Sequence, residues 1–204
     1  MRSAKPFDAR VAAFSDGVIA VVITLMVLEL KAPESGTFSA LWPLWPTVMS
    51  YAVSYLFIAI VWVNHRHLLQ YARRATPRLI WVNFAHLFAV SLVPFTTAWV
   101  ARTHLAAAPV AIYAAVFVGV NAAYRTFEAE VLKQMGDTQM CHAMRRMVRR
   151  RSWATLVIFA AATLAALVAP LIAFAMICAA LLLYLRPELP THGRFHRRAV
   201  HLAP

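Results

Sequence analysis

The sequence is poor in charged residues, in glycine and in cysteine. Of its 204 residues 14% are charged and five are glycine, whereas 62% are hydrophobic. A soluble domain carries about 25% charged residues, so this composition indicates an integral membrane protein. The two cysteines, Cys141 and Cys178, are far apart and lack metal-ligand spacing. We therefore expect two isolated thiols, with no disulfide framework and no metal site.

Acidic residues are also scarce, and the basic excess gives a formal net charge of +12. The basic residues fall between long apolar runs, where the positive-inside rule accounts for them better than a nucleic-acid partner does. The stretch from Ser152 to Leu185 is too long for one crossing, and Pro170 divides it. The prediction is an all-α integral membrane protein with six transmembrane helices, at about 11–30, 41–63, 79–101, 108–132, 152–168 and 171–185.

The distribution of basic residues predicts the orientation of these helices. Eighteen of the twenty lysines and arginines fall on the side of the termini, and Lys31 and Arg102 alone fall on the other. Both termini are therefore expected to be cytoplasmic. We expect residues 1–186 to form the six-helix domain and 187–204 a basic cytoplasmic tail. Asp16, inside the first run, argues for a retained helix rather than a cleaved signal peptide.

Polar residues recur at one depth in the first three predicted spans. An acid at membrane depth costs a few kcal/mol or more unless the protein satisfies it, so Asp16 needs partners. Hydrogen-bond donors on the next two spans lie close to the same cytoplasmic boundary of the membrane. This shared depth predicts an internal hydrogen-bonded cluster. A proton relay remains open as another interpretation. The residues concerned are Ser15, Asp16, Trp62, Asn64, His65 and Asn83.

A second face of the first span is entirely apolar. At 100° per residue, Gly17, Val21, Leu25 and Leu28 share one narrow stripe, with Thr24 at its edge. Asp16 lies about 140° from Val21 on the same wheel. Such a stripe contacts lipid or another helix, or it lines a hydrophobic constriction of a pore.

Four motifs resemble one family of membrane proteins. The sequence Arg10-x-x-x-Phe14-Ser15-Asp16 matches the RxxxFSD signature of the transmembrane protein 175 family of potassium channels. WVNHRH at 62–67, WVNFAHLF at 81–88 and SLVPFTT at 91–97 are also similar to prokaryotic members. The resemblance covers roughly residues 7–101.

The resemblance implies a passive potassium channel without enzymatic activity, cofactor or small-molecule substrate. It further implies a homotetramer of six-helix subunits, spanning the inner membrane of a prokaryote several times. The first helices would line the pore, with Val21, Leu25 and Leu28 as the constriction and Thr24 as a layer that contacts the ion. Relatives usually carry isoleucine where Val21 stands, so this ring is expected to be wider, or Leu25 to be the narrowest point. The polar network implied by the family maps to Ser15, Asp16, Trp62, Asn64, His65 and Asn83, and Arg10 belongs either to this network or to the cytoplasmic mouth of the pore.

Two other functions fit some of the same residues. A proton-coupled transporter would use Asp16 and His65 as its relay. A membrane redox protein would use His65 and His86 as axial haem ligands. Inverted repeats and broken helices, which are typical of such transporters, are not visible in the sequence.

Overall fold

The computed structural model describes residues 9–134 and 142–184, and it describes side-chain surroundings over 9–134 and 152–182. The expected tail at 187–204 and Cys141 lie outside the described residues. Within them the regular structure is helical. In chain order the helices are α1 (Ala9–Val27), a 3-10 helix (Phe38–Leu44), α2 (Trp45–Leu69), α3 (Pro77–Ser91), α4 (Val93–Arg102), α5 (Ala107–Gln134), α6 (His142–Ala165) and α7 (Pro170–Tyr184).

Prolines lie in the first turn of several helices, where the missing N–H has no intrahelical partner to lose. Pro46 lies in the first turn of α2, and Pro77 and Pro170 are the first residues of α3 and α7. Thr76 caps α3, because its hydroxyl oxygen accepts a hydrogen bond of 3.2 Å from the backbone N–H of Leu79.

The third predicted span is two helices rather than one. α3 ends at Ser91 and α4 begins at Val93, with Leu92 between them. Pro94 has no N–H to donate to the carbonyl of Val90, so the backbone ladder is interrupted at this point. The hydroxyl of Thr97 donates to the carbonyl of Val93 at 2.7 Å and closes the first turn of α4.

Four segments are long and apolar enough to cross a membrane: α1, residues 38–69, residues 77–102, and α5. Residues 152–165 and 170–182 form shorter apolar helices. The described chain is thus an all-α membrane protein. Several boundaries differ from the expected ones. α1 ends at Val27 rather than at 30, α2 continues to Leu69 rather than ending at 63, and α6 begins at His142 rather than at 152. No glycine or proline occurs between Thr47 and Thr76 to end α2 earlier.

The core lies between α2, α5, α6 and α7. Phe57 of α2 stacks on Phe117 of α5 with ring centroids 3.7 Å apart, and Phe159 of α6 meets Phe117 edge-on. Buried hydroxyls also join α2 to α4 and α5, because the hydroxyl of Ser54 makes hydrogen bonds of 2.7 Å to Thr97 and to Tyr113. These helices form a packed scaffold.

α1 lies at the edge of this scaffold and packs on α2, α3 and α4. Only 22% of its most apolar window is buried, compared with 39% to 44% for the other three long spans. Most of the surface of α1 is therefore left uncovered by its own chain.

Candidate functional site

One face of α1 is buried against the bundle. Its buried residues are Ser15, Ile19, Val22 and Met26, which recur every three or four positions as one helical stripe. Ser15 is fully buried, and its hydroxyl donates to the carbonyl of Val11 at 2.9 Å. This face fixes α1 on the scaffold.

A chain of hydrogen bonds links Ser15 to the neighbouring helices. The side-chain amide of Asn83 on α3 donates to the Ser15 hydroxyl oxygen at 2.9 Å. The carbonyl oxygen of the same amide lies 2.7 Å from Nε2 of His65 on α2. Because that oxygen can only accept, His65 carries a proton on Nε2. One asparagine thus joins three helices.

Asp16 has its own partner on α2. The indole N–H of Trp62 donates to one carboxylate oxygen of Asp16 at 2.8 Å. The guanidinium of Arg66 lies over the Trp62 ring at 5.3 Å from the centroid. Asp16 is half-buried, so this bond satisfies an acid that would otherwise be costly at this depth.

His65 belongs to an aromatic stack that the sequence did not predict. Its ring lies parallel to those of His86 and Phe127, at centroid distances of 5.7 and 5.0 Å. The spacing from Asn83 to His86, one helical turn, was the available signal that the two share a face. The two imidazole rings are stacked, whereas two axial haem ligands must point a ring nitrogen at the iron from opposite sides. Nε2 of His65 is also engaged by Asn83, so the pair does not fit as axial haem ligands.

Asn64, another residue of the expected network, lies elsewhere. Asn64 lines a small cavity between α2, α5, α6 and α7, and the volume of this cavity is about 20 Å³. Its backbone carbonyl accepts from the hydroxyl of Tyr124 at 3.4 Å, and no side-chain bond from Asn64 to Asp16 is recorded in the described region. Arg10 is exposed in the first turn of α1.

The opposite face of α1 is apolar and open. Val21, Leu25 and Leu28 are 55%, 49% and 74% exposed, so the stripe points away from the rest of its own chain. Thr24 is exposed beside it and donates its hydroxyl proton to the carbonyl of Val21 at 2.9 Å. The lone pairs of this hydroxyl oxygen remain available to another ligand.

The two faces give α1 different chemistry on its two sides. The polar groups that could act on a proton are directed into the bundle, whereas the open side offers apolar side chains and one hydroxyl. Within residues 9–134 and 152–182 no three His, Cys, Asp or Glu side chains are grouped as a metal site would require. The arrangement is suited to lining a path rather than to bond chemistry.

Comparison with known proteins agrees with this arrangement. Residues 10–94 match the family model described as "Endosomal/lysosomal potassium channel TMEM175". A potassium channel of Chryseobacterium sp. is 38% identical over 128 residues, which are 63% of this chain and 67% of that protein. A potassium channel of Streptomyces collinus is 39% identical over 129 residues, or 58% of this chain and 61% of that one. The aligned regions thus span roughly two thirds of the relatives' lengths.

A solved structure has the same fold. The crystal structure of a lysosomal potassium-selective channel TMEM175 homolog from Chamaesiphon minutus superposes with a TM-score of 0.77 at 23% identity. The match covers 89% of this chain and 98% of that one. The chain therefore belongs to the TMEM175 family, which is a family of ion channels and not of enzymes.

Proposed function

We propose that this chain is one subunit of a passive, potassium-permeable channel in the inner membrane of a prokaryote. Each subunit would cross the membrane six times, with both termini in the cytoplasm. The observation that carries the proposal is the open apolar stripe of Val21, Leu25 and Leu28 on the least covered long helix of the chain. Two relatives named potassium channels support the identity of the ion.

The stripe has the chemistry of a hydrophobic constriction. Rings of apolar side chains narrow a pore and gate it by excluding water. Val21, Leu25 and Leu28 follow one another along a single face of α1, so each subunit contributes one side chain to each of three successive rings. The narrowest ring is formed either by Val21 or by Leu25, because Val21 is the smallest of the three side chains and leaves a wider opening.

Thr24 supplies the one hydroxyl beside this stripe. Its proton is held by the Val21 carbonyl within the same helix, so the oxygen presents lone pairs rather than a proton outward. Oxygen lone pairs are the ligands that a partly dehydrated potassium ion requires. We assign Thr24 to an ion-contacting layer between the apolar rings.

The polar cluster lies on the side of α1 that faces α2 and α3, away from the proposed pore. Asp16 bonds to Trp62, and Ser15 bonds through Asn83 to His65, so these groups are directed toward α2 and α3. Their role in the proposal is to fix the rotation of α1, with the apolar stripe facing the ion. Among the described residues, Asp16 and His65 share no hydrogen bond. His65 bonds instead to the amide of Asn83, which leads to Ser15 and not to Asp16, and this argues against a proton relay between Asp16 and His65.

One subunit offers one stripe, and a single stripe does not enclose a pore. Several copies must therefore surround the ion path, and a homotetramer is the assembly we propose. The low burial of α1 within its own chain is the condition for such an assembly. In it, the side of α1 away from α2 and α3 would face the other copies and the central axis.

The proposal is tested with purified protein in planar bilayers under opposed potassium and sodium gradients. We expect a reversal potential that follows the potassium gradient and does not move when a pH gradient is imposed. A current that follows the pH gradient would instead support the proton-coupled transporter. Absence of any ionic current from assembled protein would refute the channel function. Chemical cross-linking of the same sample, with a ladder ending at four subunits, tests the assembly.

A further inference from the structure

The buried stripe of α1 ends at Met26, three positions before a charged residue. Its members Ser15, Ile19, Val22 and Met26 are spaced by four, three and four positions, and the next position of the series is Glu29. The side chain of Glu29 accepts a charge-assisted hydrogen bond of 2.6 Å from Nη2 of Arg102. An exposed ion pair therefore lies just beyond the end of α1 and ties the following turn to α4.

Arg102 is held on a well-defined support. It is the last residue of α4, where a cation interacts favourably with the helix dipole. The hydroxyl of Thr103 donates to the carbonyl of Trp99 at 2.7 Å, and the backbone N–H of Leu105 donates to that of Val100 at 3.0 Å. Leu105 is buried although its φ is 62°, so packing holds the turn in a left-handed conformation.

The segment that Glu29 holds carries one of the proposed pore residues. α1 ends at Val27, and Leu28 and Glu29 continue as a turn whose N–H groups donate to the carbonyls of Leu25 and Met26 at 3.2 and 3.3 Å. Within 28–33 the bond to Arg102 is the only side-chain polar contact recorded in the described chain. Leu28 itself is 74% exposed, so its own packing does not fix its position.

We propose that Arg102 is a positioning residue that, through Glu29, fixes the outer end of the pore helix and the place of the Leu28 side chain. The effect on ion flow rests on the proposed channel function, whereas the effect on the position of the turn does not. α1 is thus anchored twice, by the polar cluster around Ser15 and Asp16 near its start and by this ion pair beyond its end.

The two anchors differ in their exposure to water. Ser15, His65 and Asn83 are buried, whereas the side chains of Glu29 and Arg102 are 41% and 67% exposed. Exposed ion pairs are weakened by salt, whereas buried hydrogen bonds are not screened in this way. The outer anchor is therefore the weaker one, and it responds to the ionic strength of the outer solution.

The position of the turn is tested by continuous-wave EPR, with a nitroxide attached through Leu30→Cys after Cys141→Ser and Cys178→Ser. Arg102→Gln should increase the mobile fraction of the label about two- to fivefold, the range expected for loss of an exposed ion pair. Lys31→Gln removes a positive charge two residues after Glu29 and should leave the spectrum unchanged. A label at Ala13, near the start of α1, should not respond to Arg102→Gln. An unchanged Leu30 label in Arg102→Gln would overturn the proposal.

Permeability measurements separate two causes of a change in selectivity: loss of the positioning contact and an unpaired charge on Glu29. We expect Arg102→Gln to lower the potassium-to-sodium permeability ratio about two- to fivefold, and Glu29→Ala with Arg102→Ala to lower it equally. The charge swap Glu29→Arg with Arg102→Glu should restore the ratio, because it rebuilds the pair. If the neutral double variant behaves as wild type, the unpaired carboxylate caused the change and the positioning role is refuted. A wild-type protein without current would count against the channel function alone, since the EPR result is independent of it.

Discussion

Trp62 and Asp16 lie 46 positions apart in the sequence, and their side chains meet in a hydrogen bond of 2.8 Å between α2 and α1. The indole supplies a donor only, so it can satisfy the carboxylate but cannot exchange a proton with it readily. The acid of the FSD motif is therefore held by a donor that suits the anchoring role we propose for this cluster. The predictions below separate this anchor from the open face of the same helix.

Trp62→Phe removes the indole N–H and keeps most of the ring volume. We expect the free energy of unfolding in detergent micelles to fall by about 1 to 3 kcal/mol, because Asp16 loses a donor at a partly buried site. Trp81→Phe makes the same chemical change at a side chain that is 73% exposed, and it should change stability by less than about 0.5 kcal/mol. Equal losses in the two variants would remove the special role of the Trp62 bond.

Asn83→Ala breaks two interhelical hydrogen bonds at once, to Ser15 and to His65. We expect a loss of about 2 to 4 kcal/mol, since two buried polar groups lose their shared partner. Asn121 is the matched control, because its buried amide donates within its own helix to the carbonyl of Phe117. Asn121→Ala should cost less than Asn83→Ala in the same unfolding measurement. The reverse order would contradict the bridging role of Asn83.

Leu25→Ala and Leu28→Ala each remove apolar volume from the open stripe of α1. If these side chains form the constriction, the unitary conductance should rise, about twofold or more, and the potassium-to-sodium selectivity should fall, because a wider apolar ring excludes water less well. Leu164→Ala is the control, since Leu164 is 70% exposed on α6. Currents that match wild type in single-channel recordings would place Leu25 and Leu28 outside the pore.

Thr24→Val replaces the hydroxyl by a methyl group of similar shape, and Thr24→Ser keeps the hydroxyl. We expect the valine variant to lose potassium selectivity and the serine variant to retain it. The bond from Thr24 to the Val21 carbonyl is local to α1, so neither change should alter stability by more than about 0.5 kcal/mol. The check is the reversal potential of each variant in potassium and sodium gradients. Equal reversal potentials for serine and valine would exclude a contact between the hydroxyl and the ion.

Periodicity found the two faces of α1 in advance, because 3.6-residue spacing follows from the backbone alone. The stripe of Val21, Leu25 and Leu28 and the position of Asp16, about 140° from Val21, need no tertiary information. The members of the polar cluster were also expected from the sequence, but which donor meets which acceptor required tertiary information, since the rotation of α3 decides whether Asn83 reaches Ser15 or Asp16. Rotation is set by packing of side chains that are distant in the sequence.

The ends of helices were predicted less well than their faces. α2 runs past the polar sequence of residues 64–67 because no residue there disfavours a helix, although the polarity suggested a boundary. The break at Leu92 has a visible cause in Pro94, but the apolar run continues through it and hides it. Arg102 had been assigned with Lys31 to one side of the membrane, but Glu29 lay inside the first predicted span, so its pairing with Arg102 depended on where α1 and α4 end.

The interruption at Leu92 has a mechanical consequence. α3 and α4 both contact α1, and α3 holds Ser15 through Asn83, whereas α4 holds Glu29 through Arg102. A bend at Leu92 requires no additional rupture of the backbone ladder, because Pro94 has already removed one of its bonds. The joint at Leu92 therefore lies between the two supports of α1, so a lateral force on α4 would reach the C-terminal end of α1 through the Glu29–Arg102 pair.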